Sequence, residues 1–106
     1  MGLGNMGKMM KQVQKLQAEM ERVQEELAGA RVEASAGGGV VRAVANGHGE
    51  LLALTIDPAA VDPADVALLQ DLVVAAVTEA QRNARALAEA RMKAVTGDLG
   101  LPGRLR

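Results

Sequence analysis

The chain contains no cysteine and no phenylalanine, tyrosine or tryptophan. Without cysteine it can have no disulfide, thiol nucleophile, thiolate metal site or iron–sulfur cluster. Without aromatic rings it cannot stack on the exposed bases of a single strand. A chain of 106 residues without these bulky side chains also has little with which to fill a core, and domains of this size bury less than about 70% of their unfolded surface. We therefore expect an oligomer to supply the missing burial.

Long apolar runs are also absent. The longest strongly apolar stretch runs from Leu72 to Val77, whereas a membrane-spanning helix needs about 18 or more such residues. The amino terminus has no basic segment followed by an apolar one, so a signal peptide is not predicted. Met6 stands where the myristoylation pattern requires Ser or Thr. We expect a cytoplasmic protein that has no membrane partner.

The net charge of −1 hides an uneven distribution along the chain. Residues 1–15 carry +3 and residues 81–106 carry +4, whereas residues 16–80 carry −8. At physiological ionic strength a charge acts over only about 8 Å, so the local charge decides where an anion binds. The acidic balance of the whole chain is therefore a weak argument against binding to a polyanion.

The first helix is predicted over about residues 4–28, with Gly29 as a favourable stop. Its apolar residues follow a heptad spacing of three and four, which predicts a narrow apolar seam that packs against a partner helix. Four of the chain's six Met residues lie in or beside this seam, and their flexible side chains suit helix–helix contacts. The residues of this heptad seam are Met6, Met9, Val13, Leu16, Met20, Val23 and Leu27.

Residues 31–56 are predicted to form three antiparallel strands. Apolar residues alternate with polar ones in the first strand, and three consecutive glycines, Gly37–Gly39, turn the chain. The dipeptide Asn46-Gly47 is the strongest short hairpin signal and closes the second strand. Leu52, Leu54 and Ile56 then share one face of the third strand.

A second long helix is predicted over about residues 63–96, with Asp62 as its N-cap, Pro63 at its first position and Gly97 as its stop. We expect residues 98–106 to be a flexible tail. The apolar stripe of the helix comprises Leu69, Leu72, Val73, Ala76, Ala80, Ala84 and Leu87.

These elements predict an α+β fold in a single domain over residues 1–97: a long N-terminal helix, a three-stranded antiparallel meander and a long C-terminal helix. The helices are about twice as long as strands of five or six residues. The simplest arrangement is therefore a homodimer with a shared central sheet region and protruding helical arms.

Basic residues recur on both helices and are the candidate DNA-binding residues. On the first helix they are spaced by three, four and seven, which places them on one helical face. Such a face can neutralise duplex phosphates without recognising the base sequence. If a dimer neutralises about six phosphates, the logarithm of its affinity should fall against the logarithm of the salt concentration with a slope near −5. A solvated helix face is the plain structural alternative. The candidates are Lys8, Lys11, Lys15, Arg22, Arg82, Arg85, Arg91 and Lys93.

No constellation typical of catalysis, a metal or a cofactor is present. His48 is the only histidine and lies in a tight turn, where a structural role is favoured over catalysis. The glycine run Gly37–Gly39 lacks the spacing of a dinucleotide fingerprint and no Gly-Lys-Ser/Thr follows. Capping explains the aspartates better than a cation site. We therefore predict a non-enzymatic protein without cofactor, metal or small-molecule substrate. The aspartates concerned are Asp57, Asp62, Asp65 and Asp71.

Five segments, in this order and spacing, resemble the YbaB/EbfC family of bacterial nucleoid-associated proteins. The resemblance implies a cytoplasmic, tweezer-shaped homodimer of the nucleoid that binds duplex DNA, compacts or regulates it, and has no enzymatic activity. It also implies that DNA contacts come from the long helices. The chain departs from the family in its Ala-rich second half and in its Arg-Leu-Arg ending. The segments are Met6–Gln17, Gly37–Gly47, Ile56–Pro58, Asp71–Ala76 and Leu101–Gly103, and the implied contacts are Lys8, Lys11, Lys15, Arg82 and Arg85.

The main alternative is a protein-interaction adaptor or chaperone-like clamp. In that reading the Met-rich heptad seam binds helices of other proteins, and the lysines are only the solvated side of the helix. A duplex-binding measurement at several salt concentrations separates the two functions, because only phosphate binding weakens steeply with salt.

Overall fold

A computed structural model describes residues 3–98 of the protein, with side chains from Asn5 to Gly97. The predicted fold class is confirmed: a long helix, three antiparallel strands and a second long helix follow one another. Apart from Asp98, which ends the second helix, the predicted tail lies outside the described residues. The elements are α1 (Leu3–Gly29), β1 (Val32–Ala36), β2 (Val41–Ala45), β3 (Leu51–Ile56), a short 3-10 turn (Pro58–Ala60) and α2 (Val66–Asp98).

The sheet is a meander in the order β1-β2-β3, with every neighbouring pair antiparallel. The connection from β1 to β2 is the predicted glycine turn, and Gly37, Gly38 and Gly39 all have positive φ angles. A side chain at Gly37 would also approach Leu72 of α2 to 3.0 Å. The glycines are therefore explained by backbone geometry and close packing, as the turn interpretation requires.

Helix α2 lies across β1 and β2 through a contact made largely of alanines. Ala43 and Ala45 of β2 and Ala76 and Ala80 of α2 have no exposed surface. Small side chains let the helix backbone approach the sheet closely, which accounts for the predominance of Ala in the apolar stripe of α2 beyond residue 75. Because α2 covers the other two strands, β3 stays at an open edge, and Leu51–Thr55 are all exposed.

The carboxyl half of α1 packs against the carboxyl half of α2. Val23, Leu27 and Val95 are buried together, with Leu16 and Met20 partly buried beside them. The heptad seam was predicted to meet a helix of another molecule, and for this half that prediction is wrong. The antiparallel α2 of the same chain already fills the position, because both helices leave the sheet from the same end.

The amino-terminal part of α1 protrudes from the rest of the chain. Every side chain from Asn5 to Lys15 is exposed. The chain measures 75 × 28 × 16 Å with a radius of gyration of 20.5 Å, against about 13 Å for a compact domain of this length. We call residues 5–15 the arm. No helix among the described residues combines the length and the apolar character needed to cross a membrane.

Helix α2 begins at Val66, three residues later than predicted. Asp62 accepts a hydrogen bond from the backbone N–H of Ala64, and the Asp65 N–H donates to the Asp62 carbonyl, so this segment forms a separate turn. Asp65 then accepts from the Leu68 N–H at 3.2 Å and caps the helix. The prediction of Asp62 as the N-cap of α2 is therefore wrong, because Asp62 closes the preceding turn and Asp65 caps the helix.

The turn between β2 and β3, residues 46–50, ties both helices to the sheet. The Gly47 N–H donates to the Leu27 carbonyl at 2.7 Å, and the Gln81 side chain donates to the Gly49 carbonyl at 3.0 Å. Asn46 is buried, and its side-chain oxygen accepts hydrogen bonds from the backbone N–H groups of residues 48 and 50. This β2–β3 turn is therefore the fixed junction from which α1 and α2 run side by side.

Replacing Gly47 with Ala is expected to lower the free energy of unfolding by about 1–3 kcal/mol. The added Cβ would lie 2.8 Å from the Cα of Leu27, so the backbone of α1 itself must shift. Replacing Gly7 with Ala is the matched control, because nothing lies within 4 Å of a Cβ at that position. In an exposed helix interior this change is expected to stabilise by about 0.5–1 kcal/mol. Urea denaturation measures both, and a Gly47→Ala protein as stable as the parent would contradict the close contact.

Candidate nucleic-acid interface

The lysines of the arm form one continuous face. At about 100° of rotation per residue, Lys8, Lys11, Lys15 and Arg22 fall within about 60° of one another. The three lysines are exposed, and they make no ion pair with any part of the chain that the structure describes. We call Lys8, Lys11 and Lys15 the lysine face. Their charges are free to meet an external anion.

The opposite side of the same arm is apolar. Met6, Met9, Met10 and Val13 are 60%, 63%, 61% and 54% exposed, and their mean direction is about 180° from that of the lysine face. Together with two glutamines of α1 they line a shallow groove of about 450 Å³. We call these four residues the methionine face. The arm therefore presents a cationic side and an apolar side in opposite directions.

Arg22 continues the lysine face along α1, but its charge is neutralised locally. Its guanidinium donates to Glu19 and, at 2.8 Å, to Glu26. The hydrogen bond to Glu19, with the negative charges of both carboxylates, raises the pKa of Arg22 above its ordinary value. An incoming phosphate would therefore have to compete with two carboxylates for the Arg22 guanidinium.

The four basic candidates on α2 do not share a face. Arg82 pairs with Glu79 on the outer side of the helix, and Arg91 lies 3.7 Å from Glu26. Lys93 points to the outer side as well, and it makes no ion pair within the described residues. A continuous basic stripe along α2, parallel to the lysine face, is thus absent from the part of the chain that the structure describes.

Arg85 lies in a different setting, a cleft between the two helices and the β2–β3 turn. The cleft has a volume of about 450 Å³ and is lined by polar residues from three elements. The cleft lies beside Gln24, which is on the opposite side of α1 from Arg22. The cleft therefore opens on the side of the α1–α2 pair opposite to Arg22 and Arg91. We call it the root cleft, and its lining residues are Gln24, Leu27, Gly47, His48, Gly49, Gln81, Arg85, Ala88 and Met92.

His48 is the residue of this site for which the sequence indicated only a structural role. Its backbone does form the expected turn, donating to the Asn46 side chain, but its exposed side chain lines the root cleft with Arg85. No local pattern links residues 48 and 85, because α2 meets the turn only in the folded chain. Among the described residues no three His, Asp or Glu side chains come together as metal ligands would.

A family model for the YbaB/EbfC DNA-binding family matches residues 1–99. The chain belongs to this family. The resemblance is confirmed by that match, which includes both helices, the sheet, the arm and four of the five sequence segments; the fifth, Leu101–Gly103, lies beyond it. The lysine face, the methionine face and the root cleft are therefore features of a YbaB/EbfC chain.

Relatives of known name are similar over almost their whole length. A protein of Moorella thermoacetica named nucleoid-associated protein is 57% identical over 103 residues, which span 97% of this chain and 99% of the relative. A protein of the same name from Pelotomaculum thermopropionicum is 52% identical over 100 residues, covering 94% of this chain and 95% of that one. The matched segments therefore cover nearly all of this chain and nearly all of each of these two relatives.

Solved structures of similar fold include one from Helicobacter pylori. The crystal structure of the uncharacterized protein HP0035 from Helicobacter pylori superposes with a TM-score of 0.62, at 22% identity, over 74% of this chain and 90% of that one. At this identity the likeness concerns the fold alone. It supports the arrangement of two long helices around a small meander.

Proposed function

We propose that this YbaB/EbfC protein is a non-enzymatic, homodimeric nucleoid protein that binds duplex DNA through the phosphate backbone, largely without sequence specificity. In this role it contributes to nucleoid organisation and gene regulation. The observation that carries the proposal is the arm, which holds three exposed lysines on one face that form no ion pair within the described residues. Membership of a DNA-binding family and the names of the relatives support it.

The chemistry of the arm suits phosphates rather than bases. The chain has no aromatic side chain to stack on a base, and lysine acts as a flexible point charge that follows a backbone without fixing a base pair. Lys8 and Lys15 are seven residues apart, about 10 Å along the helix. Along one strand of a duplex a phosphate occurs about every 3.4 Å of helix axis, so the lysine face spans about three of them.

The proposed dimer rests on the open edge of the sheet. Leu51, Leu52 and Leu54 of β3 are 45%, 45% and 39% exposed, although Leu54 is paired with the fully buried Ala43 and shares its face. The apolar face that α2 covers on β1 and β2 thus continues uncovered over β3. An edge strand with exposed leucines invites pairing with another chain, and a second copy would cover this face and place two arms in one particle.

A salt titration tests the proposed function. Six lysines per dimer predict a slope of log affinity against log salt near −5, and each further phosphate contact makes it steeper by about 0.9. Fluorescence anisotropy with two short duplexes of unrelated sequence, measured at about 50 to 200 mM salt, gives the slope and the specificity together. Equal affinities with a steep slope are expected. A slope near zero, or no binding at low salt, would overturn the proposal.

The adaptor function keeps a specific observation in its favour, the four exposed apolar side chains of the methionine face. Exposed methionines can repack around different partners. An adaptor without phosphate contacts would leave duplex DNA unbound at every salt concentration. The same titration therefore decides between the two functions.

A further inference from the structure

We propose that the root cleft is a second phosphate-binding site, in which Arg85 and His48 hold phosphate oxygens with help from Gln24. The inference rests on the proposed function in so far as the duplex that the arm binds is one source of the phosphate in the cleft. It adds a contact that lies apart from the lysine face and that includes the only histidine of the chain.

The lining of the cleft favours an anion. Arg85 is exposed and has no ion pair or hydrogen bond within the described residues, in contrast to Arg22, Arg82 and Arg91, which all face glutamates. No Asp or Glu belongs to the lining. The nearest carboxylate on the turn, Glu50, accepts a hydrogen bond from the Asn46 side chain at 2.7 Å. The charge of Arg85 is therefore available in a concave site without an opposing acid.

The donors in the cleft suit phosphate oxygens. A guanidinium offers two parallel N–H groups that match two oxygens of one phosphate. The imidazole of His48 and the amide of Gln24 add donors from two other elements. The floor of Leu27, Ala88 and Met92 offers no side-chain carbonyl or carboxylate that would repel an anion.

The cleft is preformed rather than assembled from mobile loops. The Gly47 N–H holds the turn to Leu27 of α1, and Gln81 holds it to α2. Both helices also pack on each other through Val23 and Val95. A site that is already fixed in place loses little conformational entropy on binding.

The position of the cleft makes it a separate contact. Lys8, Lys11 and Lys15 share the side of α1 that carries Arg22, whereas Gln24 and Arg85 lie on the other side of the α1–α2 pair. The phosphate in the cleft therefore comes either from a duplex segment that the lysine face does not touch or from a free phosphate compound. Both sources share the oxyanion chemistry that the lining recognises.

NMR spectroscopy of the untagged protein tests the site directly, because His48 gives the only imidazole signals in the spectrum. A short duplex and inorganic pyrophosphate are titrated separately at low salt. If the duplex shifts the His48 and Arg85 side-chain signals, DNA occupies the cleft. If only pyrophosphate shifts them, the site binds free phosphate compounds. If the duplex binds by anisotropy but neither probe shifts these signals, the site is overturned while the proposed function stands.

Substitutions give an independent measurement. Replacing both Arg85 and His48 with Gln is expected to make the salt slope shallower by about 0.9 for each phosphate that the cleft no longer neutralises. Replacing Arg42 with Gln is the control, since Arg42 is an exposed cation on the sheet that does not line the cleft. Equal slopes for the double variant and the Arg42→Gln control would contradict occupation by DNA. Failure of the parent itself to bind the duplex would instead be a failure of the proposed function.

Discussion

Replacing Lys8, Lys11 and Lys15 together with Gln is expected to remove most of the affinity for duplex DNA and most of its salt dependence. Each lysine contributes about 0.9 to the slope of log affinity against log salt, so a dimer loses about 5 from its slope. Over a rise from about 50 to 200 mM salt, six such contacts correspond to roughly a thousandfold change in affinity. Any slope that remains measures contacts elsewhere, including the root cleft.

The fold should tolerate this triple substitution. All three side chains are exposed and make no ion pair within the described residues, and Gln is a good helix former. A variant with Arg at the same three positions keeps the charge and is expected to bind like the parent. Unchanged circular dichroism and thermal unfolding would show that the weaker binding is electrostatic. If the Gln variant kept the parent's slope, the arm would not be the DNA contact.

The order and approximate bounds of the elements could be predicted because their signals are local. The Asn46-Gly47 dipeptide closes β2, the glycine run turns the chain after β1, and Gly29 ends α1. Each signal depends on the backbone preferences of one or two residues. The start of α2 was predicted less well, since Asp62 and Asp65 are both good caps and only the folded turn shows which one opens the helix.

The partner of the heptad seam could not be predicted from its spacing. An apolar spacing of three and four indicates that a helix has a narrow apolar seam for packing against another helix. It does not indicate which helix that is. In the fold, Val23 and Leu27 are covered by α2 of the same chain, while Met6 and Met9 stay exposed beyond the α1–α2 contact. One sequence pattern therefore serves two different parts of the helix, an internal contact and an open face.

Some ion pairs of the candidate site could have been predicted from residue spacing, although we did not predict them. Spacings of three and four between Glu19, Arg22 and Glu26, and of three between Glu79 and Arg82, already indicate ion pairs within a helix. Those pairs are present, and they distinguish paired arginines from the free lysines of the arm. The pairing of Arg91 with Glu26 and the meeting of Arg85 with His48 join residues far apart in the chain, so they emerge only from tertiary packing.

Charge pairing also orders the candidates by expected contribution to binding. An arginine that already donates to a carboxylate must give up that partner to bind a phosphate, and the negative charge of the carboxylate repels the phosphate. Single substitutions of Arg22 or Arg82 should therefore matter less for DNA than substitution of a lysine in the arm. The lysines of the arm form no ion pair within the described residues, whereas Arg22, Arg82 and Arg91 on the helices are each paired with a glutamate.

Replacing Leu54 with Asp is expected to convert the proposed dimer into a folded monomer. Leu54 lies on the uncovered face of the edge strand and is 39% exposed in the single chain, so the substitution costs the monomer little. In a dimer it would bury a carboxylate against the apolar surface of the partner without a counter-charge, which costs several kcal/mol. Sedimentation equilibrium measures the mass of the particle directly.

The same substitution should weaken DNA binding without touching a DNA contact. A monomer has one arm, so its salt slope should fall to near −2.7, and loss of the second linked arm should reduce affinity by about 10²–10⁴-fold. Replacing Thr55 with Asp is the matched control, because its side chain points to the other face of β3, where its strand partner is Arg42. The Thr55→Asp protein should remain dimeric. The carboxylate is costly only if a partner chain buries this face of β3. A Leu54→Asp protein with the particle mass and the salt slope of the parent would therefore show that β3 is not the interface.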